Sequence, residues 1–384
     1  GNVYQFFQMY SIEDCSGNWI ERAQRFKVCD DVDPNANCKA VTVNLNANGT
    51  VEVCAQQFND KSADNCGGAL TYEFARDIIN DGINFAFGPY TACKDFTCAD
   101  IANIATCAAN TNNSGQIAIR MRVIDACGNV SGFCTTNLTV VDNINPTIDC
   151  PDDQMVLMSD EGDYDCQVNV TIEHPIPADN CSVLCYEMEV QKEIDGVLVT
   201  IDPATGAPAP NYRQDVVGGT SVSYVFEKGP FCGINGNGDT RMDDEYKIIY
   251  YVRDEHGNSV SCDYKITVKD DLAPVFTFCP SQPIIEAQAT AGDCYQFKCW
   301  EPPTWYDNCQ FPYFGEGSGY CPIPTLVVTT SDPSVMVDTI GDDHCALFPV
   351  GETQVYYTVT DFCGNSATCT VTVIISDIEA PMAM

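Results

Sequence analysis

Basic residues are scarce in this 384-residue sequence: 18 lysines and arginines stand against 54 aspartates and glutamates, which gives a formal net charge of −36. Such a surface repels the phosphate backbone of nucleic acids, so we expect no nucleic-acid partner. Long apolar runs are missing as well. No stretch approaches the roughly 20 apolar residues of a membrane-spanning helix, so the sequence predicts no membrane span.

Histidine is rarer still, with three residues that are isolated from one another in the sequence: His174, His256 and His344. The motifs HExxH and GxSxG and a four-ligand zinc spacing are all absent. Metalloproteases and serine hydrolases depend on such constellations. We therefore predict that the protein is not an enzyme and that it requires no cofactor.

Cysteine, in contrast, is abundant. The 24 cysteines are even in number and mostly scattered rather than clustered in metal-binding pairs. A reducing cytosol does not maintain so many disulfides, and scattered cysteines favour a disulfide framework over a metal site. The sequence predicts an extracellular protein that is secreted or belongs to a cell surface or matrix.

A turn motif, Asp-x-x-Gly-Asn, recurs four times, at 14–18, 125–129, 254–258 and 361–365. After each copy comes a segment of alternating apolar residues and then an Asp-x-x-x-Pro step. Period-two alternation on both sides of a Gly-Asn turn predicts a β-hairpin. The proline cannot join a strand ladder, so it marks the start of the next module.

This repetition predicts an all-β chain of tandem, disulfide-stapled, immunoglobulin-like antiparallel β-sandwiches. Residues 1–33 form the C-terminal hairpin of a partial repeat. Module 1 is 34–145 with an insertion at 67–115. Module 2 is 146–273 with an insertion at 186–245. Module 3 is 274–384, which includes the start of the next linker. Within the insertions, "CADIANIATCAAN" suits a short helix, and Asp195-Gly196 suits a tight hairpin turn.

The segment "FPVGETQVYYTVTDFCGNSATCTVTVIISDIEAP", together with "CP" near the module starts and "DNC" in mid-module, resembles the hyalin repeat. That family consists of immunoglobulin-like extracellular modules of adhesive and matrix proteins. The resemblance implies adhesion or structural work and brings no catalytic residues with it. In module 2, His256 takes the place that Cys127 and Cys363 hold in the other modules.

Equal placement of cysteines suggests equal pairing, although sequence alone does not fix disulfide connectivity. We expect three mid-module pairs, Cys54–Cys66, Cys166–Cys181 and Cys294–Cys309. Three further pairs would span whole modules: Cys38–Cys134, Cys150–Cys262 and Cys279–Cys369. The remaining expectations are Cys15–Cys29 in the first hairpin and Cys185–Cys232 at the base of the second insertion.

Two calcium sites are candidates. Asn235, Asn237, Asp239 and Asp243 are spaced like positions 1, 3, 5 and 9 of an oxygen-ligand calcium loop. The turn glycine and the closing acid of that loop are missing, so a solvated acidic hairpin tip is the alternative. Asp142, Asp270 and Asp271, which lie between modules, could also hold Ca²⁺, but no spacing argument supports them.

Two kinds of surface site complete the candidates. N-linked glycans are expected, if the source is eukaryotic, at six Asn-x-Ser/Thr sequons: Asn48, Asn112, Asn129, Asn137, Asn169 and Asn180. An aromatic group in module 3 could form a sugar-stacking or subunit-contact surface, with ordinary packing of a disulfide-rich loop as the alternative. Its members are Trp300, Trp305, Tyr306 and Tyr313.

Two functions remain open. The first is a structural subunit of a surface filament, appendage or matrix, a homo-oligomer or polymer of neighbouring copies. Residues 1–33 support it, because two strands cannot bury a core alone and could be completed by another chain; an incomplete chain is the simpler reading of that segment. The second is an adhesin module, possibly calcium-dependent, that binds extracellular glycans.

Overall fold

The structure, a computed structural model, describes residues 4–28, 30–79, 85–158, 166–194, 197–227, 244–280, 285–309, 324–361 and 363–380. Strands dominate these residues, and no α-helix occurs among them. The predicted all-β class is confirmed.

The first element is the hairpin of β1 (Tyr4–Glu13) and β2 (Trp19–Val28). The strands pair in antiparallel register from Tyr4–Val28 to Glu13–Trp19. The turn is held by Asp14, whose side chain accepts the backbone N–H groups of residues 16 and 18 at 2.9 and 3.0 Å. Large apolar side chains of both strands are exposed: Phe6, Phe7, Met9, Ile12, Trp19, Ile20, Phe26 and Val28.

Module 1 contains six strands and two 3-10 segments: β3 (Val41–Asn44), β4 (Thr50–Cys54), a 3-10 segment (Ala55–Phe58), β5 (Thr71–Arg76), β6 (Cys93–Thr97), a 3-10 segment (Cys98–Asp100), β7 (Ser114–Ile124) and β8 (Cys134–Val141). One sheet has the order β3-β8-β7-β5, and β4 pairs with β6 in the other. Phe58, Phe74 and Phe96 are fully buried in the core.

Module 2 contains the next eight strands: β9 (Gln154–Leu157), β10 (Gln167–Glu173), β11 (Val183–Ile194), β12 (Val197–Ile201), β13 (Gln214–Asp215), β14 (Ser221–Glu227), β15 (Asp244–Asp254) and β16 (Ser259–Lys269). The larger sheet has the order β12-β11-β15-β16-β9, with β13 beside β11, and the second sheet is β10-β14. Strands β11 and β12 pair up to residues 194 and 197, as the hairpin predicted around Asp195-Gly196 requires.

Module 3 contains the last nine strands: β17 (Val275–Phe278), β18 (Ile285–Gln288), β19 (Tyr295–Trp300), β20 (Thr304–Tyr306), β21 (Thr325–Thr330), β22 (Asp338–Ile340), β23 (Asp343–Pro349), β24 (Gly351–Thr360) and β25 (Ser366–Ser376). The sheets are β18-β25-β24-β21, β19-β23-β22 and the pair β17-β20. The core contains Phe348, Tyr357 and Val371, which are fully buried.

One arrangement recurs in all three modules. An early strand of the module lies parallel to its last strand: β3 beside β8, β9 beside β16 and β18 beside β25. A disulfide ties the segment before this early strand to the last strand. These are the expected module-spanning bonds Cys38–Cys134, Cys150–Cys262 and Cys279–Cys369, and all three are formed.

The chain divides into two compact units. The first holds residues 1–149, 176–187 and 251–261, that is, the hairpin and module 1 with two segments of module 2. The second holds residues 150–175, 188–250 and 262–384.

The predicted short helix in "CADIANIATCAAN" is wrong. After the three-residue 3-10 segment Cys98–Asp100 the chain runs without regular structure. The reason is that Ile101 and Ile104 are buried and the backbone N–H of Ile104 donates to the carbonyl of Glu255 at 2.7 Å. Bonds to a distant segment replace the bonds to the preceding turn that a helix needs.

The mid-module pair Cys54–Cys66 is also wrong. Cys54 is bonded to Cys93, because β4 and β6 are neighbouring strands in which these two residues lie directly opposite. Cys66 is an exposed free thiol. In module 3, Cys299 and Cys345 are opposed and bonded in the same way.

The cysteine of each later "DNC" segment is bonded to the preceding module instead of its own. Cys181 is bonded to Cys98, and Cys309 is bonded to Cys166. The predicted pairs Cys166–Cys181 and Cys294–Cys309 are therefore wrong, and Cys294 is an exposed free thiol. Cysteines with equal spacing do hold equivalent positions in their modules. Their bonding partners, however, are cysteines of a neighbouring module that lie closer in space.

Two further expected bonds are not formed. Cys185 is bonded to Cys107, so Cys185–Cys232 is wrong, and Cys232 lies outside the described residues. Cys15 is an exposed free thiol. It lies in the turn between β1 and β2, and Cys29 lies outside the described residues.

Candidate functional site

Three groups of aspartates form the most distinctive clusters of the described residues. Each draws one member from Asp-x-x-x-Pro, one from "DNC" and one from Asp-x-x-Gly-Asn. The first triad is Asp30, Asp64 and Asp125; the second is Asp142, Asp179 and Asp254; the third is Asp270, Asp307 and Asp361. In each triad one carboxylate oxygen of every member lies within 4.8 Å of the others.

The Asp-x-x-Gly-Asn turn fixes the third member of each triad. Asp254 shows the pattern: its Oδ1 accepts the backbone N–H groups of His256, Gly257 and Asn258 at 2.9, 2.6 and 2.8 Å. The turn needs glycine because Gly257 has φ +94°, in the left-handed region. The side-chain amide of Asn258 donates to Asp254 Oδ2 at 2.7 Å, which locks the carboxylate.

Two asparagines hold the Asp-x-x-x-Pro member. In the third triad, the Asn308 amide donates to Asp270 Oδ1 at 3.0 Å, and the Asn365 amide donates to the backbone carbonyl of Asp270 at 3.1 Å. The same two bonds recur at Asp142, at 3.2 and 3.3 Å, and at Asp30, at 3.3 and 2.7 Å. The three triads therefore share the same arrangement of motifs and hydrogen bonds.

The third triad is the most deeply buried. Asp270, Asp307 and Asp361 are 0%, 5% and 6% exposed. Burial, followed by the charges of Asp270 and Asp361, raises the pKa of Asp307 to about 6. Burial also raises the pKa of Asp179, the equivalent residue of the second triad. At both positions burial disfavours the charged form of the carboxyl group.

Several oxygens in the triads have no hydrogen-bond partner among the described residues. Asp307 uses Oδ2 to accept the backbone N–H of Cys309 at 3.3 Å, which leaves Oδ1 unpaired. The side-chain oxygen of Asn308 is also buried and unpaired, because its amide nitrogen donates to Asp270. Carboxylate and amide oxygens of this kind are the ligands that hard cations prefer.

The second triad differs in one respect. His256 is completely buried, and its Nδ1 lies 2.9 Å from Asp142 Oδ2. Cys127 and Cys363 occupy the equivalent position beside the other triads. An imidazole therefore already contacts the carboxylate of Asp142.

The other predicted site residues have mixed outcomes. The calcium loop of Asn235, Asn237, Asp239 and Asp243 lies outside the described residues. Of the joint residues, Asp142 and Asp270 are triad members and Asp271 is not. Sequence reasoning missed the "DNC" and turn aspartates, although their fixed place in every repeat was a usable signal.

The aromatic surface of module 3 is partly wrong. Trp300 is buried, packs on Phe348 and donates its indole N–H to the hydroxyl of Tyr357 at 2.8 Å, so it cannot stack on a sugar. Trp305 and Tyr306 are half-buried, and Tyr313 lies outside the described residues.

The six sequons fall into two groups. Asn48, Asn112, Asn137 and Asn169 are exposed. The side-chain nitrogens of Asn129 and Asn180 donate to triad residues, and a glycan on that nitrogen would replace these bonds. If the source is eukaryotic, glycans are therefore expected at the exposed group.

Residues 324–375, called the HYR segment below, match the HYR domain family. The segment ends in the β24–β25 hairpin that carries Asp361. This match confirms the resemblance to the hyalin repeat. The HYR segment covers β21 to β25 except for the last residue of β25.

Several known proteins are similar to parts of this chain. A 238-residue stretch is 30% identical to the rat "Sushi, von Willebrand factor type A, EGF and pentraxin domain-containing protein 1", covering 62% of this chain and about 5% of that protein's length. Among solved structures, the human desmocollin-1 ectodomain is 15% identical with a TM-score of 0.30, over 98% of this chain and 69% of that one. Titin domains I67–I69 are 12% identical with a TM-score of 0.29, over 98% and 100%.

The HYR match and the disulfides make this chain similar to disulfide-rich repeat proteins of adhesion-type families, and they indicate a location outside the cell or at its surface. Those families are non-enzymatic. Among the described residues, no helix has the length and apolar character to cross a membrane.

Proposed function

We propose that the protein is an extracellular structural subunit that assembles with copies of itself through disulfide-linked modules. The observation that carries the proposal is the repeated bond from each "DNC" cysteine to the preceding module, Cys181 to Cys98 and Cys309 to Cys166. Modules joined in this way form a covalent series, which suits a load-bearing filament or matrix.

Two free thiols occupy the positions where this series would continue. Cys66 is the "DNC" cysteine of module 1, and no bond joins it to a preceding module. Cys294 directly precedes β19, just as Cys166 directly precedes β10, and Cys166 is the partner of a following module. Both thiols are exposed. A bond from Cys294 of one copy to Cys66 of the next continues the pattern.

The bond forms by thiol–disulfide exchange. Oxidised glutathione accepts two electrons, the two protein thiols lose two protons, and two molecules of reduced glutathione leave. A hydrogen bond with Asp30 raises the pKa of the Cys66 thiol, so exchange at this residue accelerates as the pH rises.

A mixing experiment tests the proposal. Under oxidised glutathione at pH 8.5, we expect the wild-type chain to give a ladder of covalent oligomers on non-reducing electrophoresis. Cys66→Ser alone and Cys294→Ser alone should remain monomeric, because each lacks one end of the bond. An equimolar mixture of the two variants should stop at a dimer that contains a 66–294 peptide in mass spectrometry.

Three results would contradict the proposal in whole or in part. Dimers in either single variant would show non-specific oxidation and contradict the proposal. If the wild type does not oligomerise, but protein from its natural source has Cys66 and Cys294 bonded to cysteines outside residues 1–384, a longer chain supplies the neighbours and self-assembly is wrong. Free thiols at both positions in that material would reject the covalent series altogether.

A further inference from the structure

The third aspartate triad concentrates three carboxylates in a buried place. One oxygen from each of Asp270, Asp307 and Asp361 lies within 4.8 Å of the others, and no residue of the three is more than 6% exposed. Like charges at that separation repel strongly when water is excluded. Asp307 and Asp361 have no ion pair with lysine or arginine among the described residues. A cation from outside would therefore relieve the repulsion that Asp307 and Asp361 contribute to the triad.

A second observation, independent of the clustering, points to a ligand. Oδ1 of Asp307 and Oδ1 of Asn308 are buried oxygens without a hydrogen-bond partner in the described part of the chain. Leaving such oxygens unpaired costs roughly 1–3 kcal/mol each. The other polar atom of each side chain is already bonded: Asn308 Nδ2 donates to Asp270, and Asp307 Oδ2 accepts the backbone N–H of Cys309. These bonds fix the orientation of both side chains and therefore of their unpaired oxygens.

The donor set selects the class of cation. The grouped ligand atoms of the triad are all carboxylate oxygens, Asn308 adds an amide oxygen, and Cys363 in the turn of Asp361 is not part of the group. Cys309 offers no thiolate because it is bonded to Cys166. Ca²⁺ takes six to eight such oxygens in flexible geometry, with water filling the remainder. Zinc and copper favour nitrogen and sulfur ligands.

From these observations we infer that Asp270, Asp307, Asp361 and Asn308 form a binding site for Ca²⁺. The site lies within the second compact unit and joins three separate segments of it: the end of β16, the "DNC" segment and the turn between β24 and β25. Ca²⁺ bound there stabilises the fold by neutralising the triad.

The second triad provides a matched control in the same molecule. It has the same three motif positions and the equivalent unpaired oxygens, Oδ1 of Asp179 and Oδ1 of Asn180. The one difference is that His256 Nδ1 lies 2.9 Å from Asp142 Oδ2 and the imidazole is completely buried. The contact that a cation would make with this carboxylate oxygen is already made by a nitrogen. Asp179→Asn is therefore the counterpart of Asp307→Asn that should not affect Ca²⁺ binding.

The experiment uses the full 384-residue chain with Cys66→Ser and Cys294→Ser in every sample. These two changes keep it monomeric, so the result does not depend on the proposed crosslinking. Calcium binding is measured by isothermal titration calorimetry, and the Tm is recorded in EGTA and in excess CaCl₂. We expect Ca²⁺ to raise the Tm of this background protein and of Asp179→Asn.

In Asp307→Asn we expect one Ca²⁺ fewer per chain and a smaller rise in Tm with Ca²⁺. Its Tm in EGTA should equal or exceed that of the background protein, because the change removes one of three like charges and keeps the side-chain shape. Near-UV circular dichroism checks the fold, and Asp307→Ser replaces this variant if it is misfolded.

Three outcomes overturn the inference. The first is no Ca²⁺ binding by the background protein. The second is an equal Ca²⁺ response in Asp307→Asn. The third is a response that Asp239→Asn with Asp243→Asn abolishes and Asp307→Asn leaves unchanged, which places the only calcium site in the acidic loop.

Discussion

At the scale of single residues, the same side chain behaves differently in repeated positions. Asp14 and Asp361 hold equivalent turns, but Asp14 is fully exposed, and hydrogen bonds from Asn18 lower its pKa. Asp361 is buried beside Asp307, whose pKa is raised to about 6. Packing around the turn, and not the motif itself, decides whether the carboxylates are under electrostatic strain.

His174 carries the prediction at this scale. It is 3% exposed, its Nδ1 lies 3.1 Å from the hydroxyl of Tyr250, and its Nε2 has no hydrogen-bond partner among the described residues. Burial lowers the pKa of His174. Because the folded state disfavours the protonated imidazole, stability is complete above the pKa of the unfolded chain and is lost as the pH falls below it.

We therefore expect His174→Gln, which never charges, to lose less stability than the wild type between pH 7.5 and pH 5. Urea unfolding in EGTA across this range measures the difference. At pH 7.5 and above, the gap between the two free energies of unfolding should be constant, since both side chains are neutral there. If the free energies of unfolding of the two proteins run parallel over the whole pH range, this would falsify the claim that protonation of His174 destabilises the fold.

Individual aspartates were predictable from the sequence only in part. Asp142 and Asp270 stood out because they end their modules. Asp307 and Asn308 did not, since nothing in "DNC" reveals that the following cysteine is bonded elsewhere and that the loop is buried. Burial depends on contacts between distant segments, which a local motif does not encode.

At the scale of elements, equivalent pairs of strands in the three modules differ in whether a disulfide joins them. Cys54–Cys93 joins β4 to β6, and Cys299–Cys345 joins β19 to β23. In module 2, the opposed residues of β10 and β14 are Thr171 and Ser223, whose hydroxyl oxygens are 2.9 Å apart. A hydrogen bond here takes the place of the disulfide.

Thr171→Cys combined with Ser223→Cys should restore the missing bond. The new disulfide closes a loop of roughly 50 residues and is expected to raise the free energy of unfolding by about 2–4 kcal/mol. Chemical denaturation with and without a reductant measures the gain, and mass spectrometry verifies the bond. The two single variants are the controls; a double variant that forms the bond without any gain would contradict the equivalence.

The elements themselves were largely predictable. Alternation of apolar residues around a Gly-Asn turn predicts β7–β8, β15–β16 and β24–β25, because period two puts one face of each strand on the core. The helix predicted near Ile104 failed since tertiary bonds override a weak local preference.

At the scale of the whole molecule, the β1–β2 hairpin needs a cover. Its second strand is exposed along its entire length, and Trp19 is 65% exposed. Two strands alone are marginally stable in water, and exposed apolar strands favour pairing with another chain. In the proposed assembly, a neighbouring copy covers this hairpin.

The fluorescence of Trp19 measures whether the hairpin is covered, because the other two tryptophans, Trp300 and Trp305, are buried and half-buried. We expect crosslinked oligomers to show weaker acrylamide quenching and a blue-shifted emission compared with the Cys66→Ser monomer. Trp19→Phe should remove most of this difference. Equal quenching in monomer and oligomer would mean that assembly leaves the hairpin exposed.

Repeat phasing predicted the three module-spanning disulfides but none of the bonds between modules. Cys38 and Cys134 occupy the start and the end of one sandwich, which a single repeat already implies. Bonds such as Cys98–Cys181 depend on an insertion that module 1 alone contains, so no comparison among the repeats could indicate them.

The parallel pairing of β3 with β8 has a mechanical consequence. When the chain is stretched, force enters near Cys38, crosses the sulfur bridge and leaves near Cys134, so the intervening polypeptide, 96 residues in sequence separation, bears no tension. That segment would otherwise release about 300 Å of slack. Modules with the disulfide intact therefore lengthen very little under force. Reduction of the disulfide allows each module to unfold and extend.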